Sequence, residues 1–403
     1  MDYEMYDVII VGAGASGLLC ALECARAGLH TLVLEKSQQP GRKILVSGNG
    51  RCNLTNRYVS AAGYRADPTL IEAALKHFSF EDCLRYFKDL GVLLTEEAQG
   101  RIFPASGKSS AVVEALKLAL REEEVEIKCG VEITQIRAAA AQFILTSKEK
   151  DMWHARKVVL ACGSCAYPQV TGTTRGYELA QALGHHLVQP LPALSGLCLK
   201  ERAFTRLSGI KCQVRTTIVS NPQLQAEGEL IFTNYGINGP AALNISAAVS
   251  RALSQGPVPI TINFFPQLKN REVFWQERLK HFGFRKPKDF FAGLLQEGII
   301  NLLLDFRGVK KNTPMAEQSG TPLFETLSAW PATVTALRPW QEAMAATGGV
   351  KTSEINYNTF ESRICPGLYL TGELLDVDGK SGGYNLHFAW ASAFTAAQAI
   401  KEK

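Results

Sequence analysis

A chain of 403 residues with 46% hydrophobic and 20% charged residues has the composition of a folded globular protein, and it is too long for one ordinary core, so two or three domains are expected. Its 43 lysines and arginines against 38 acids leave a net charge of only +5, with no long run of one sign, which argues against nucleic-acid binding as the main role. No apolar stretch approaches the roughly 18–20 residues needed to span a bilayer, the opening Met1-Asp2-Tyr3-Glu4 is unlike a signal peptide, and a cytoplasmic chain that keeps off membranes is the expectation.

The first patterned segment, Val8-Ile9-Ile10-Val11, reads as a buried parallel strand. It feeds Gly12-x-Gly14-x-x-Gly17, then a small-residue helix closing near Gly28, then a second strand over 31–34 that ends in Glu35. In such a unit the first glycine permits the tight turn, the second lets backbone approach a pyrophosphate, and the third lets the helix pack on the sheet. The start of the helix, at Ala15 and Ser16, offers N–H groups and the positive dipole end to the phosphates. Glu35 lies 18 residues beyond Gly17, where a carboxylate accepts hydrogen bonds from ribose hydroxyls. It disfavours the 2′-phosphate of NADP by like charge. The segment predicts a bound dinucleotide without separating NAD from FAD.

Residues 41–56 read as a donor-rich loop containing Gly41, Arg42, Lys43, Ser47, Gly48, Arg51, Cys52 and Asn53, suited to phosphates and a polar ring system. Residues 69–91 and 109–120 carry helical spacing, with a turn and strand over 100–104. Short β pieces at 125–128, 131–133 and 143–145 precede an apolar strand over 157–163 that ends Ala161-Cys162-Gly163. A crossover of β pieces before the return to the cofactor favours FAD, because NAD domains return through helices. From about residue 191 the pattern turns to alternating β segments up to about 265, followed by aromatic and basic residues at helical spacing over 268–312. Strands are expected again at 332–337 and 342–346. The last block has a strand ending at Thr371-Gly372-Glu373, a Gly-rich loop containing Asp376, and a helix from Tyr384 to about residue 399. The N-terminus of that helix, at Gly383, Tyr384 and Asn385, is expected at the flavin N1/C2 edge, where its dipole favours the negative charge built up on reduction.

The ten cysteines include one C-x-x-C spacing, Cys162-Gly163-Ser164-Cys165, without a second ligand pair, so no metal is expected. Cys52, Tyr384 and Asn385 are the weak catalytic candidates. His185-His186 reads as a helix end, and residues 269–288 are the one stretch that mixes basic and aromatic side chains densely.

Together, the blocks Gly41-Arg42-Lys43 with Ser47 to Asn56, Thr233-Asn234-Tyr235-Gly236-Ile237-Asn238-Gly239-Pro240, Thr347-Gly348-Gly349-Val350 and Gly372 to Asn385 resemble the three-domain bacterial flavoproteins called BaiN-like or the aminoacetone oxidase family. The resemblance implies a doubly wound, glutathione-reductase-like FAD domain (1–190 and 348–403), an inserted antiparallel β-barrel-like domain (191–267 and 327–347) and a small helical insertion (268–326). It also implies that Gly12, Gly14, Ser16, Gly17, Glu35, Lys36, Arg42, Lys43, Ser47, Gly48, Arg51, Cys52, Asn53, Val131, Ala161, Gly163, Gly372, Glu373, Gly383, Tyr384 and Asn385 surround FAD. Val131 would do so through its backbone at the adenine. Ser381 stands where many relatives carry cysteine, which removes a thiol there. The function so read is an FAD-dependent oxidoreductase moving electrons between a small organic substrate, bound between the FAD and β domains, and either O₂ or a transiently visiting NAD(P)H. The alternatives are a flavin-bearing redox sensor and an RNA-modifying flavoprotein. Oligomeric state and substrate identity are not legible.

Overall fold

The computed structural model describes residues 4–139 and 142–402. The chain divides into two compact units, one formed by residues 1–191 and 345–403 and the other by residues 192–344. The first unit is built on a sheet ordered Glu126–Cys129, Thr31–Glu35, Met5–Val11, Met152–Leu160, Gln142–Ser147, Ile133–Ala139, with Leu368–Leu370 also pairing with Met152–Leu160. The four pairings among Glu126–Cys129, Thr31–Glu35, Met5–Val11, Met152–Leu160 and Leu368–Leu370 are parallel, whereas the strands at Gln142–Ser147 and Ile133–Ala139 run antiparallel. Parallel strands must be covered on both faces, and Val8, Ile9, Ile10, Leu32 and Val33 are fully buried accordingly.

One of the covers is the packed pair of helices Ala15–Arg26 and Tyr384–Lys401. The second helix turns Ala389, Ala391, Ala393, Ala396 and Ala397 inward, and such small side chains let two backbones approach closely. The two ends of the chain therefore meet in one unit. The segment read as one helical stretch over 69–91 is two helices, Pro68–His77 and Phe80–Asp89. The break falls at Ser79, whose hydroxyl caps the second helix in a reciprocal pair with Asp82.

The second unit holds a closed barrel ordered Leu197–Leu199, Gly236–Asn238, Asn221–Phe232, Lys211–Ile218, Val258–Asn263, Trp330–Leu337, all neighbours antiparallel. Closure removes the edges an open sheet would expose. The expectation of uninterrupted β structure to residue 265 fails at Pro240–Ala252, which is a helix packed on the barrel strands. Proline at its first turn and buried Ala241, Ala242, Ile245 and Val249 mark the helical period. The helical spacing over 268–312 corresponds to the helices Arg271–Phe282, Pro287–Phe291 and Glu297–Arg307, and Thr321–Ser328 adds a fourth beyond it. They close over an aromatic core in which Trp275 stacks on Phe324 at 4.2 Å beside Phe290 and Phe291. The strand expected over 342–346 begins only at Ala345 and runs to Val350; Glu342 ends a short 3₁₀ turn.

Candidate cofactor site

Three glycines open the site, and the polypeptide itself explains two of them. Gly12 has φ +106°, donates its N–H to Leu34 O at 2.8 Å, and a Cβ there would lie 2.6 Å from Ala161 O. A Cβ on Gly17 would collide with the Gly12 carbonyl. Gly14 differs: its φ is −81° and a Cβ would meet nothing within 4 Å. It lies at the start of helix Ala15–Arg26, which no side chain caps and which has no acid in its first turn. A glycine required neither by its conformation nor by a neighbour leaves an open cradle beside uncapped N–H groups, the arrangement that accepts a phosphate.

The acid of the motif is buried and held at both oxygens. Glu35 Oε2 accepts from Ala13 N and Oε1 from Ser37 N, each at 2.7 Å. One acceptor position per oxygen is left over for ribose hydroxyls. Val131 lies alongside, its N–H donated to Glu35 O at 2.9 Å. Lys36 follows, partly buried, with its ammonium pKa pushed down by that burial.

The stretch read as a loop over 41–56 is in its first part a helix, Arg42–Gly50, broken at Ser47–Asn49. Gly41 is left-handed and donates to Ala13 O at 2.8 Å, which ties the helix start to the phosphate turn. Arg42 is exposed and, among the described residues, forms no salt bridge. Lys43 instead pairs with Glu373, so two candidates from opposite ends of the sequence meet and the lysine charge is spent there. Arg51 pairs with Glu97 and lies over the Phe103 ring at 4.3 Å. Ser47 Oγ donates to Ile44 O at 2.7 Å, its carbonyl accepts Cys52 N at 2.9 Å, and Gly48 is left-handed and exposed. Cys52 is fully buried, and burial pushes its thiol up to about 12. It stays protonated at neutral pH and is a poor nucleophile.

Asn53 carries the least satisfied group in this region. Its Oδ1 is buried without a hydrogen-bond partner and would lie 2.9 Å from a Cβ on Gly383, at the start of the C-terminal helix. Thr371 Oγ1 is likewise buried and unpartnered. Such orphans cost roughly 1–3 kcal/mol each, and a bound molecule with polar groups would relieve them. Ala161 donates to Val11 O at 2.9 Å, the Cys162 thiol sits 3.5 Å from the same oxygen with its pKa pushed to about 12 by burial, and Gly163 is left-handed over open space. Gly372 approaches Ser16 so closely that a Cβ would lie 2.8 Å from its Oγ, and it donates to Ser392 Oγ at 2.9 Å. Asp376 Oδ1 accepts Gly348 N at 2.9 Å, which fastens the Gly-rich loop.

The two C-terminal catalytic candidates are largely committed to structure. Asn385 clips Gly379 with two hydrogen bonds, Oδ1 accepting its N–H at 2.8 Å and Nδ2 donating to its carbonyl at 2.9 Å. Tyr384 donates to Tyr58 O at 3.2 Å, and its ring meets Tyr64 edge-on at 5.7 Å. Burial raises its phenol pKa. His387, which the sequence places one helical turn further on and which reads as a packing residue, is buried, accepts from Thr55 Oγ1 at Nδ1 (2.8 Å) and donates from Nε2 to Phe78 O (3.2 Å). Burial lowers its pKa to about 4, so it is a neutral strut. Elsewhere in this unit, His185 lies between Glu354 (3.0 Å) and Ser362 Oγ (2.8 Å), with the look of a nucleophile relay. Ser362 Oγ also accepts amide hydrogens from Ile364 and Cys365, which fill both lone pairs and make the trio structural. Among the described residues no three His, Cys, Asp or Glu side chains gather as a metal site, and no helix is long and apolar enough to cross a membrane.

A family model described as the HI0933-like protein Rossmann domain matches residues 6–399. The chain belongs to that family. A 3-dehydro-bile acid delta(4,6)-reductase of Clostridium scindens is 33% identical over 410 residues, covering 99% of this chain and 100% of that protein. A ribosomal RNA dihydrouridine synthase of Haemophilus influenzae is 30% identical over 409 residues and covers 98% of both. Among solved structures, the 3-ketosteroid-delta4-(5alpha)-dehydrogenase of Rhodococcus jostii RHA1 matches with a TM-score of 0.53 at 14% identity, over 100% of this chain and 98% of that one. At that identity it speaks for the fold alone. The resemblance to BaiN-like flavoproteins thus holds over the whole chain, and the family and the reductase relative together support an FAD-dependent oxidoreductase.

Proposed function

We propose that this flavoprotein saturates a carbon–carbon double bond conjugated to a carbonyl in a small organic substrate, with NAD(P)H as the electron source. The observation that carries the cofactor half of the reading is the open cradle at Gly14, together with the unpartnered Asn53 Oδ1. The reaction half rests on what the two full-length relatives' names have in common. A delta(4,6)-reductase of a 3-dehydro bile acid and a dihydrouridine synthase both saturate a double bond in conjugation with a carbonyl. When bound, FAD supplies hydride transfer.

The chain's own residues bind and orient. The N–H groups at Ala15 and Ser16 would take the pyrophosphate, Arg42 would offset its charge, and Glu35 would hold the ribose. Lys43, paired with Glu373, braces the two chain ends rather than neutralising phosphate. The start of the C-terminal helix carries no acid in its first turn, so its positive dipole end is free to stabilise negative charge on the ring system as electrons arrive. Tyr384, kept protonated by burial, is the group we assign to hold the proton delivered to the substrate, which requires its one hydroxyl hydrogen to leave Tyr58 O when the substrate binds. Nicotinamide would visit transiently, since no second complete G-x-G-x-x-G unit occurs in the sequence.

The test is anaerobic stopped-flow on the yellow holoprotein. Reduction by NADH or NADPH, followed by reoxidation with an enone panel but not with imines, is expected. Bleaching by amines with release of peroxide in air would overturn the direction. A second reading, favoured by the full-length dihydrouridine synthase relative, puts the double bond in a uracil ring of RNA; reoxidation by an unmodified rRNA transcript but by no small enone would select it.

A further inference from the structure

The net charge of the chain is not spread over it. Residues 269–311 hold ten lysines and arginines against five acids, an excess equal to the +5 of the whole protein, so everything outside this helical segment is balanced. Part of the excess is cancelled locally: Lys288 pairs with Glu297, and Lys311 with Asp305. From the last turn of helix Arg271–Phe282 to the start of Pro287–Phe291, however, the run Lys280-His281-Phe282-Gly283-Phe284-Arg285-Lys286 contains no acid. Lys280, Arg285 and Lys286 form no salt bridge among the described residues. Arg285 stacks over Phe282 at 4.5 Å, and Phe284 stands out with 72% of its surface exposed. The crowding is felt nearby: burial, and then the Arg285 charge, lowers the pKa of Arg278. Unpaired cations around a protruding ring, in a protein whose charges elsewhere balance, are an incomplete half of an interaction.

We infer that the turn at Lys280–Lys286 is a docking surface for a single-stranded polynucleotide, its phosphates taken by Lys280, Arg285 and Lys286 and a base stacked on Phe284. The inference stands on charge and shape alone and holds whichever substrate is reduced. Single strands suit it because their unpaired bases can stack on an aromatic ring while the backbone tracks cations, independent of sequence. A bilayer fits less well, since peripheral membrane binding scales with the apolar area buried as well as with charge, and one exposed ring buries little.

The test is fluorescence anisotropy on the full-length, flavin-loaded protein with labelled oligouridylate and oligodeoxythymidylate of about 12 nucleotides, titrated between about 50 and 200 mM salt. Binding that weakens with salt is expected for at least one of them. Tighter RNA binding would assign the contact to ribonucleic acid, and equal binding to any single strand. Replacing Lys280, Arg285 and Lys286 together by alanine should weaken binding more than tenfold and lower the salt slope by about 2, at about 0.7 per lost phosphate contact. Phe284→Ala should cost about fivefold to a hundredfold, the range of one base stack. The same number of exposed lysines removed from the other unit, at Lys76, Lys88 and Lys148, should change nothing. All seven positions lie on or near the surface, and unchanged flavin absorbance and circular dichroism verify each variant. No binding at the lowest salt, binding indifferent to the triple substitution, equal loss in the control, or capture by phosphatidylserine vesicles in place of the oligonucleotides overturns the inference.

Discussion

Single residues separate what the fold requires from what a ligand requires, and Gly14 and Gly17 make the sharpest pair. Gly17→Ala must move the Gly12 carbonyl that its methyl would strike, so it should destabilise the apoprotein, with a melting temperature several degrees lower. Gly14→Ala has open space and an ordinary φ; its apoprotein should melt with the parent while FAD affinity falls by about tenfold or more, a loss of about 1.4 kcal/mol. Equal affinity in Gly14→Ala would place the phosphates elsewhere. His387 gives a second residue-scale prediction, through pH. Its pKa falls from 6.5 in the ordinary state to about 4 when buried, so the unfolded chain binds the proton first. Its contribution is complete above about pH 6.5 and is lost as the pH drops toward 4, at a total of about 3 kcal/mol. His387→Gln should flatten that part of the melting-temperature profile, whereas an unaltered acid limb would show that other groups set it.

At the scale of elements, the sequence was most legible where one short-range rule acts alone. The strand, glycine turn, helix and acid over residues 8–35 follow from spacing, and so do the barrel's alternating strands. Helix Arg42–Gly50 reads as a loop because Ser47, Gly48 and Asn49 break it, and composition hides the ordered first turn. Helix Pro240–Ala252 is masked by its setting between strands. The commitments of candidate side chains were not legible at all: Lys43 to Glu373, Asn385 to Gly379 and His387 to Thr55 and Phe78 are made by tertiary contacts, most of them between residues hundreds of positions apart. The C-terminal helix start yields its own prediction. Asn385→Asp keeps the acceptor for Gly379 N, loses the donor to its carbonyl, and adds a negative charge at a positive dipole end. The new carboxylate oxygen faces the Gly379 carbonyl where Nδ2 donated at 2.9 Å, and the roughly 1–3 kcal/mol for that unsatisfied acceptor exceeds the dipole interaction of about 0.3–1 kcal/mol, so the melting temperature should fall modestly. The flavin midpoint potential should fall, because the reduced ring then gathers its charge beside an anion. Spectroelectrochemical titration reads the shift, and a potential equal to or above the parent's would remove the helix from the flavin's surroundings.

For the whole molecule, the order of the chain carries a consequence that neither unit shows alone. The first unit draws on residues 1–191 and 345–403, and its candidate site needs both, since Ser16 meets Gly372 and Lys43 meets Glu373. The residues between are an insertion whose entry and exit strands are already joined: Leu187–Ala193 pairs with Ala345–Val350, and Met344 N donates to Leu194 O at 3.3 Å. Closing so small a gap costs little chain entropy. A protein in which a short Gly-Ser linker replaces residues 195–343 should therefore fold, turn yellow, and bind FAD within a few-fold of the parent. Whether it still saturates the proposed double bond then reports directly on the inserted unit: loss of turnover with flavin retained is expected if substrate binding draws on residues 195–343. A cut of the same chain before Tyr384 should do the reverse of the first outcome: it strips the partner from helix Ala15–Arg26 and exposes a buried alanine-rich face, so soluble flavin-binding protein should not be recovered. Flavin titration of the two shortened chains decides the matter. Colourless but folded linker protein would mean that the inserted unit holds the cofactor, and a yellow chain lacking the last helix would mean that this helix is not needed to hold it.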